Sequence, residues 1–209
     1  IFAKMFQKYQ LTPTNLEHDY LWYNNNCGWV SVPKNANMMI RNICEHFNMD
    51  YKLKSVAERP VEMFCVVRNP WLRFVSGMAE CLYRRHNGTT CTSMNELLLA
   101  IDQFYEEPHL FDEHLEPQIA YVHGYTFTKI VKFENLLNDL LKVEYLNKDK
   151  YLVARYTNPS LTQVSKYFNS IHQVVKQHES LINKVIEKYY ARDYEIWLCP
   201  PEYENKLIT

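Results

Sequence analysis

Hydrophobic and polar positions change period several times along the chain, and each change marks an element. Residues 28–33, Gly-Trp-Val-Ser-Val-Pro, read as a short buried strand that Pro33 halts. Met38, Met39, Ile43, Cys44 and Phe47 then recur at helical spacing, which predicts a helix over 36–47. Residues 48–60 read as a polar connection. Residues 62–67, Glu-Met-Phe-Cys-Val-Val, become continuously apolar, as a strand covered on both faces of a parallel sheet does. Arg68-Asn69-Pro70 breaks that run, and Pro70 in a first helical turn suits a helix running to about Arg85. Strand, polar turn and helix thus occur twice. That repetition predicts an α/β fold with a central parallel sheet flanked by helices.

The remaining segments fill out one domain over residues 1–209. Residues 1–26 are polar and aromatic without a clear period and read as an N-terminal arm. Residues 86–93 read as a loop, and Ser93 with Glu96 forms a capping box for a helix to about Tyr105. Residues 106–118 are irregular, acidic and histidine-rich between Pro108 and Pro117. Residues 126–133 alternate as a third strand, 134–141 read as a helix, and 145–160 as a polar stretch. A long helix is expected over about 173–191, followed by an aromatic packing segment from Asp193 to Trp197. No second domain, repeat or low-complexity tract is visible.

Composition narrows the chemistry mainly by exclusion. The 209 residues are 47% hydrophobic and 22% charged, ordinary for a globular chain. A net charge of −1 does not describe a coat for nucleic acid, so any anion site has to be local. The 4 glycines, Gly28, Gly77, Gly88 and Gly124, cannot form the Gly-rich dinucleotide fingerprint or the Walker A loop. The 6 cysteines contain no C-x-x-C pair, which removes zinc-ribbon and thioredoxin motifs. Cys44, Cys65 and Cys81 lie in apolar runs and read as buried thiols, whereas Cys27, Cys91 and Cys199 lie near polar segments where pairing is conceivable. The balance points to a reduced interior. No apolar run approaches the length of a membrane span.

Two segments carry candidate chemistry. Val32-Pro33-Lys34-Asn35-Ala36-Asn37 joins a strand end to a helix start. Amides at a helix N-terminus bind anions, a lysine adds a point charge, and the small or left-handed-tolerant Asn35, Ala36 and Asn37 allow close backbone approach. The plain alternative is a solvated lysine in an ordinary turn. The second segment runs from Arg68 to Ser76. Arg68 leaves the carboxyl end of the strongest strand, where open α/β sheets bind ligands, and a guanidinium grips phosphate through two parallel hydrogen bonds. Ser76, two turns into the helix, can add a hydroxyl. The plain alternative pairs Arg68 and Arg73 with surface carboxylates.

Taken together, the two segments resemble the signature loops of the sulfotransferases that use 3′-phosphoadenosine 5′-phosphosulfate (PAPS). The Arg-x-Pro-x-x-Arg-x-x-Ser run is intact at Arg68, Pro70, Arg73 and Ser76. Further segments are similar to the membrane-associated, Golgi-type carbohydrate sulfotransferase branch: His114-Leu-Glu-Pro117-Gln118, Lys132-Phe133-Glu134-Asn135-Leu136, and Tyr189-Tyr190 with Asp193-Tyr194. The likeness covers most of residues 28–198 in order. It departs in the Pro-Lys loop, where the family's Gly and Thr or Ser are replaced by Asn37 and Met38.

The resemblance implies a P-loop nucleotide-kinase-like sulfotransferase fold and sulfuryl transfer from PAPS to a hydroxyl, most simply on a carbohydrate, without a metal. It implies that Pro33 and Lys34 with the backbone of Asn35, Ala36, Asn37, Met38 and Met39 hold the 5′-phosphosulfate, and that Arg68 and Ser76 hold the 3′-phosphate. Lys34 would stabilise the leaving phosphate and His114 would be the general base, with Glu80 and Glu58 in reserve. A metal cluster of His109, Asp112 and His114 fits no known spacing. The rival readings are a kinase-like phosphotransferase, which lacks the Walker glycines, and a catalytically weak nucleotide- or glycan-binding relative, motivated by Asn37 and Met38. The thiols favour a cytoplasmic protein over a Golgi-lumenal one cut from its anchor. Acceptor identity and oligomeric state have no legible signal.

Overall fold

The computed structural model describes residues 20–53, 60–85, 94–157, 171–173, 175–198 and 206–207. In chain order the elements are β1 (Tyr20–Tyr23), β2 (Cys27–Val30), α1 (Asn37–His46), β3 (Asp50–Leu53), β4 (Glu62–Val67), α2 (Pro70–Arg85) and α3 (Met94–Glu106). They continue with α4 (Gln118–Val122), β5 (Thr126–Phe127), β6 (Lys129–Lys132), α5 (Leu136–Leu140), α6 (Lys150–Thr157), α7 (Glu179–Tyr189), α8 (Ala191–Trp197) and β7 (Lys206–Leu207). Two 3₁₀ turns, Pro108–Leu110 and Glu113–Leu115, occupy the irregular stretch.

The arrangement is an α/β fold around a five-stranded mixed sheet of order β3-β1-β2-β4-β6. β2, β4 and β6 are parallel, with Trp29 opposite Phe64 and Cys65 opposite Ile130. The expected all-parallel sheet is corrected at its edge, where β1 runs antiparallel to both β2 and β3. The end of the expected N-terminal arm is therefore strand, and so is part of the expected polar connection 48–60. Asn24 makes the β1–β2 turn: its Oδ1 accepts from the amides of Asn26 and Cys27, each at 3.0 Å. The third expected strand is divided into β5 and β6. Between them Thr128 turns inward, and its hydroxyl donates to the Met63 carbonyl at 2.8 Å.

All six residues of β4 are buried, which explains their near-continuous apolar character. The pleat sends Met63, Cys65 and Val67 to one face, where Ile119, Val122 and Ile196 cover them. Phe64 and Val66 go to the other, against Ile40, Ile43, Leu140 and Val153. A third cluster joins α2, α3 and α7 through Phe74, Met78, Phe104, Ile182 and Tyr190. Cys27, Cys44, Cys65 and Cys81 are buried free thiols, which corrects the more polar setting expected for Cys27.

Helix α2 occupies its expected span. The polar stretch 145–160 holds α6, whose one buried residue, Val153, gives no amphipathic stripe to read. The long C-terminal helix is interrupted by a turn at Gln177 and His178 before α7 begins. Among the described residues no helix is long and apolar enough to cross a membrane. The capping residue Ser93, the reserve base Glu58, Cys91 and Cys199 lie outside the described residues.

Gly77 sets how closely α2 meets the 112–116 segment. A Cβ there would overlap the His114 carbonyl oxygen and crowd a Leu115 methyl. Gly77→Ala should therefore cost roughly 1–3 kcal/mol as an overpacking change, read as a lowered melting temperature. An unchanged melting temperature would mean that the segment gives way freely.

Candidate functional site

The sheet order defines where a ligand can approach. The chain leaves β2 through α1 and returns to the sheet at β3, beyond β1, whereas it leaves β4 toward β6 on the opposite side. The carboxyl ends of two parallel neighbours therefore open a crevice at a topological switch point. The loops rimming it are residues 31–36 and 68–69, which hold the two segments singled out in the sequence.

The first loop is strained and held. Lys34 has φ 67° and Ala36 φ 64°, both left-handed. For residues with a Cβ this costs about 1–2 kcal/mol each. Four hydrogen bonds impose it. Arg73 Nε donates to the Pro33 carbonyl at 3.0 Å, and Arg68 Nη1 to the Lys34 carbonyl at 3.1 Å. Asn35 Nδ2 donates to the Val66 carbonyl and to Gln118 Oε1, both at 2.7 Å. The left-handed positions are thus Lys34 and Ala36, which corrects the expectation for Asn35 and Asn37. Asn35 is a fully buried tether and Asn37 opens α1. The loop delivers the chain directly into α1, where the amides of Met39 and Ile40 donate to the Ala36 carbonyl at 2.9 and 3.0 Å, while those of Asn37 and Met38 stand ahead of the first intrahelical acceptor. Met38 is 72% exposed.

The second loop is clamped by the same groups. The Gln118 carboxamide accepts from the Arg68 amide at 2.8 Å and donates to the Arg68 carbonyl at 2.8 Å. Asp193, buried, accepts from the amides of Gln118 and Ile119 at 2.8 and 2.9 Å and so caps α4. Burial pushes the Asp193 carboxyl up to about 6, against the pull of Arg73 and these amides. Glu134 accepts from the Asn69 amide at 2.8 Å and from the Trp197 indole at 3.1 Å. The Arg68 guanidinium lies 4.3 Å over the Phe133 ring. Burial lowers the Arg68 pKa to about 10, with Glu134 opposing and Arg73 adding to the shift. Arg73 is fully buried and also bonds the Glu116 carbonyl, so it ties two loops together and is no surface ion pair. Ser76 is buried on α2, one turn beyond Arg73.

Beside this edge the expected catalytic residues join a row of charges. Lys34 Nζ is 3.3 Å from Glu80 Oε2, and Glu80 Oε1 accepts from Arg84 Nε at 2.9 Å. Arg84 Nη2 lies 3.4 Å from His114 Nε2, and His114 Nδ1 lies 3.0 Å from Asp112 Oδ1. Burial pushes the Lys34 pKa down while Glu80 holds it up. Burial would raise Glu80, yet Lys34 and Arg84 prevail and its pKa is lowered. For Asp112 too, burial is outweighed, here by hydrogen bonds from His114 and Cys81, and the carboxyl falls well below its ordinary range. An ionised Asp112 fixes the proton on Nδ1 and leaves the Nε2 lone pair as acceptor. Cys81 Sγ donates to Asp112 at 3.1 Å, and burial with that carboxylate pushes the thiol up, the opposite of an activated nucleophile.

The described residues that cluster with metal-ligand geometry are Asp112, Glu113 and His114, and His109 is not with them. Asp112 Oδ1 already takes the His114 amide, the His114 ring and the Cys81 thiol. An open depression of about 310 Å³ lined by Asn26, Glu62, Lys129 and Tyr145 sits at the amino end of the parallel strands. Glu62 there is engaged by the amides of Glu144 and Tyr145, at 3.0 and 3.1 Å. The convergence of buried polar groups is at the carboxyl edge.

Lys34, Arg68, Ser76 and His114 were singled out by strand ends and motif. The clamping roles of Gln118, Asn35, Arg73 and Asp193 were not. Gln118 and Asp193 stand in the resembling segments, but nothing there gave them this role; a further signal for Gln118 is its place directly before the apolar Ile-Ala-Tyr-Val run. No family model, curated protein or solved structure matches the chain.

Gln118→Met keeps the length of the side chain but deprives Asn35 Nδ2 and both backbone groups of Arg68 of a partner. Each unpaired buried group costs about 1–3 kcal/mol, so denaturant unfolding should show a loss of about 3 kcal/mol or more. A loss below about 1 kcal/mol would remove Gln118 as the clamp.

Proposed function

We propose that the chain is a sulfotransferase that moves a sulfuryl group from PAPS to a hydroxyl, most simply on a carbohydrate. The observation that carries this reading is the held Lys34–Ala36 loop. Its two left-handed residues and the first turn of α1 present amides and the Lys34 ammonium at the switch point, beside Arg68. A cradle of amides with one lysine suits a phosphate or phosphosulfate. A second cation on the adjoining loop suits a second phosphate on the same ligand, which is what separates this donor from an ordinary nucleotide. The sulfotransferase fold belongs to the same reading, which is supported by the parallel β2-β4-β6 core and the order of the motifs around it.

In this mechanism the acceptor oxygen attacks sulfur in line while the bond from sulfur to the 5′-phosphate oxygen breaks. Within residues 35–39, where the Asn35 and Met39 amides are taken by the Val32 and Ala36 carbonyls, the amides of Ala36, Asn37 and Met38 hold the 5′-phosphate, and Lys34 stabilises charge growing on its departing oxygen. Arg68 and Ser76 hold the 3′-phosphate. His114 Nε2 takes the hydroxyl proton, and Asp112 stabilises the imidazolium that results. The products are the sulfated acceptor and 3′,5′-adenosine bisphosphate (PAP). Positioning and charge supply most of the rate, as in phosphoryl transfer. The buried free thiols support a cytoplasmic setting over a Golgi lumen. A catalytically weak nucleotide-binding relative is the second reading, and Met38 in place of a hydroxyl is what favours it. A kinase-like phosphotransferase ranks below both for want of Walker glycines.

Calorimetric titration with PAP, 5′-AMP and ATP, without metal, tests the donor site. PAP alone should bind tightly. Arg68→Ala should weaken it at least tenfold, because a charge-assisted hydrogen bond is worth about 1.5–3 kcal/mol. Equal binding of all three nucleotides, or of none, would sink the reading. Turnover with sulfur-labelled donor separates the enzyme from the inactive relative. There His114→Ala should lower the rate by roughly 10²–10⁴ with PAP affinity little changed, and a rate that survives would place the base elsewhere.

A further inference from the structure

The row of charges joins the two halves of the site. Lys34 stands in the donor loop and His114 in the segment across from it, and Glu80 and Arg84, one turn apart on α2, link the two. The Lys34, Glu80 and His114 side chains keep 16%, 16% and 14% of their exposure, whereas Arg84 keeps 54%. A single carboxylate thus serves two cations, one oxygen each. Arg84 in turn spends its Nη2 on the Nε2 of His114, the atom that a general base must offer to an acceptor hydroxyl.

In the free chain Glu80 is the anion at the Lys34 ammonium. A phosphate arriving at the loop competes with it for the same charge. Lysine is a point charge on a flexible stem and turns readily, while a guanidinium favours a carboxylate that offers both oxygens. Once Lys34 turns to phosphate, both Glu80 oxygens are open to Arg84. The guanidinium can then close on Glu80 in a forked pair, which takes Nη2 away from His114.

We propose that Glu80 is a built-in counter-ion that donor phosphate displaces from Lys34, and that the displaced carboxylate draws Arg84 off His114. The base is then uncovered only when donor is bound. Glu80 and Arg84 are positioning residues in this scheme and touch no reacting atom. The inference rests on the donor-site reading above and adds an order of events to it: donor first, acceptor second.

The test reads the His114 ring nitrogens by ¹⁵N NMR, assigned with His114→Gln, during titration with PAP. In the wild-type chain the Nε2 resonance should move as PAP saturates. Glu80→Gln should bind PAP about two- to fivefold tighter, the factor that one partly exposed ion pair represents, while its Nε2 resonance stays in place. Arg84→Gln should show, without nucleotide, the resonance of the PAP-bound wild type. A wild-type resonance that does not move at saturation, or that moves equally in Glu80→Gln, overturns the coupling and leaves the donor site standing. Calorimetry on the same samples identifies the other failure: a wild-type chain that does not bind PAP overturns the donor site and the coupling together.

Discussion

One neutral side chain holds the carboxyl edge of the sheet in register. The Gln118 carboxamide meets Asn35 from the loop after β2 and both backbone groups of Arg68 from the loop after β4. Those loops would otherwise diverge, since the chain runs from them toward opposite sides of the sheet. The bridge is buried, so each of its hydrogen bonds is made in a setting where leaving it unmade is costly. Its position is fixed in turn by Asp193, which pins the start of α4 from the far end of the chain. The strained backbone at Lys34 and Ala36 persists because this network, with Arg68 and Arg73, leaves it no alternative.

The electrostatics follow from the same geometry. Arg73, fully buried, is spent on carbonyl oxygens of two loops. Arg68 gives one nitrogen to the Lys34 carbonyl and lays its plane on Phe133, which orients the guanidinium over an apolar surface. Two cations thus stand close at the edge, and Glu134 acts on the charge of Arg68. Glu80 answers Lys34, and Glu134, through the Asn69 amide, steadies the turn that carries Arg68. Such a balance keeps the two loops together.

Much of the frame was legible in the sequence where burial alone decides the pattern. β4 reads as continuous apolar residues because both of its faces are covered, and α2 starts at Pro70 because proline suits a first turn and ends a strand. β1 and β3 escaped because they are four residues long and exist through pairing at an edge: Asp50 and Lys52 would argue against a strand in isolation. Helix α6 escaped for want of a stripe. In the site, Lys34 and Arg68 were legible from their place at strand ends. The left-handed lysine was not, because nothing local asks for it: the bonds that impose it join residues 31 to 83 positions apart. The pairing of Lys34 with Glu80, 46 residues apart, has the same cause.

The departure at Asn37 and Met38 from the Gly and Thr or Ser of the family that the loop resembles bears on this loop less than the sequence implies. A glycine is required where φ is positive or where a Cβ would collide. Here the positive φ values fall on Lys34 and Ala36, and Asn37 begins a regular helix. Met38 is largely exposed, so its side chain does not fill the space in front of the first-turn amides from within the core. What Met38 removes is one hydroxyl donor. What remains are the backbone amides, whose direction is set by the helix and not by the residues in it. On the proposed reading the departure would weaken the hold on an anion, while the geometry of the loop does not depend on it.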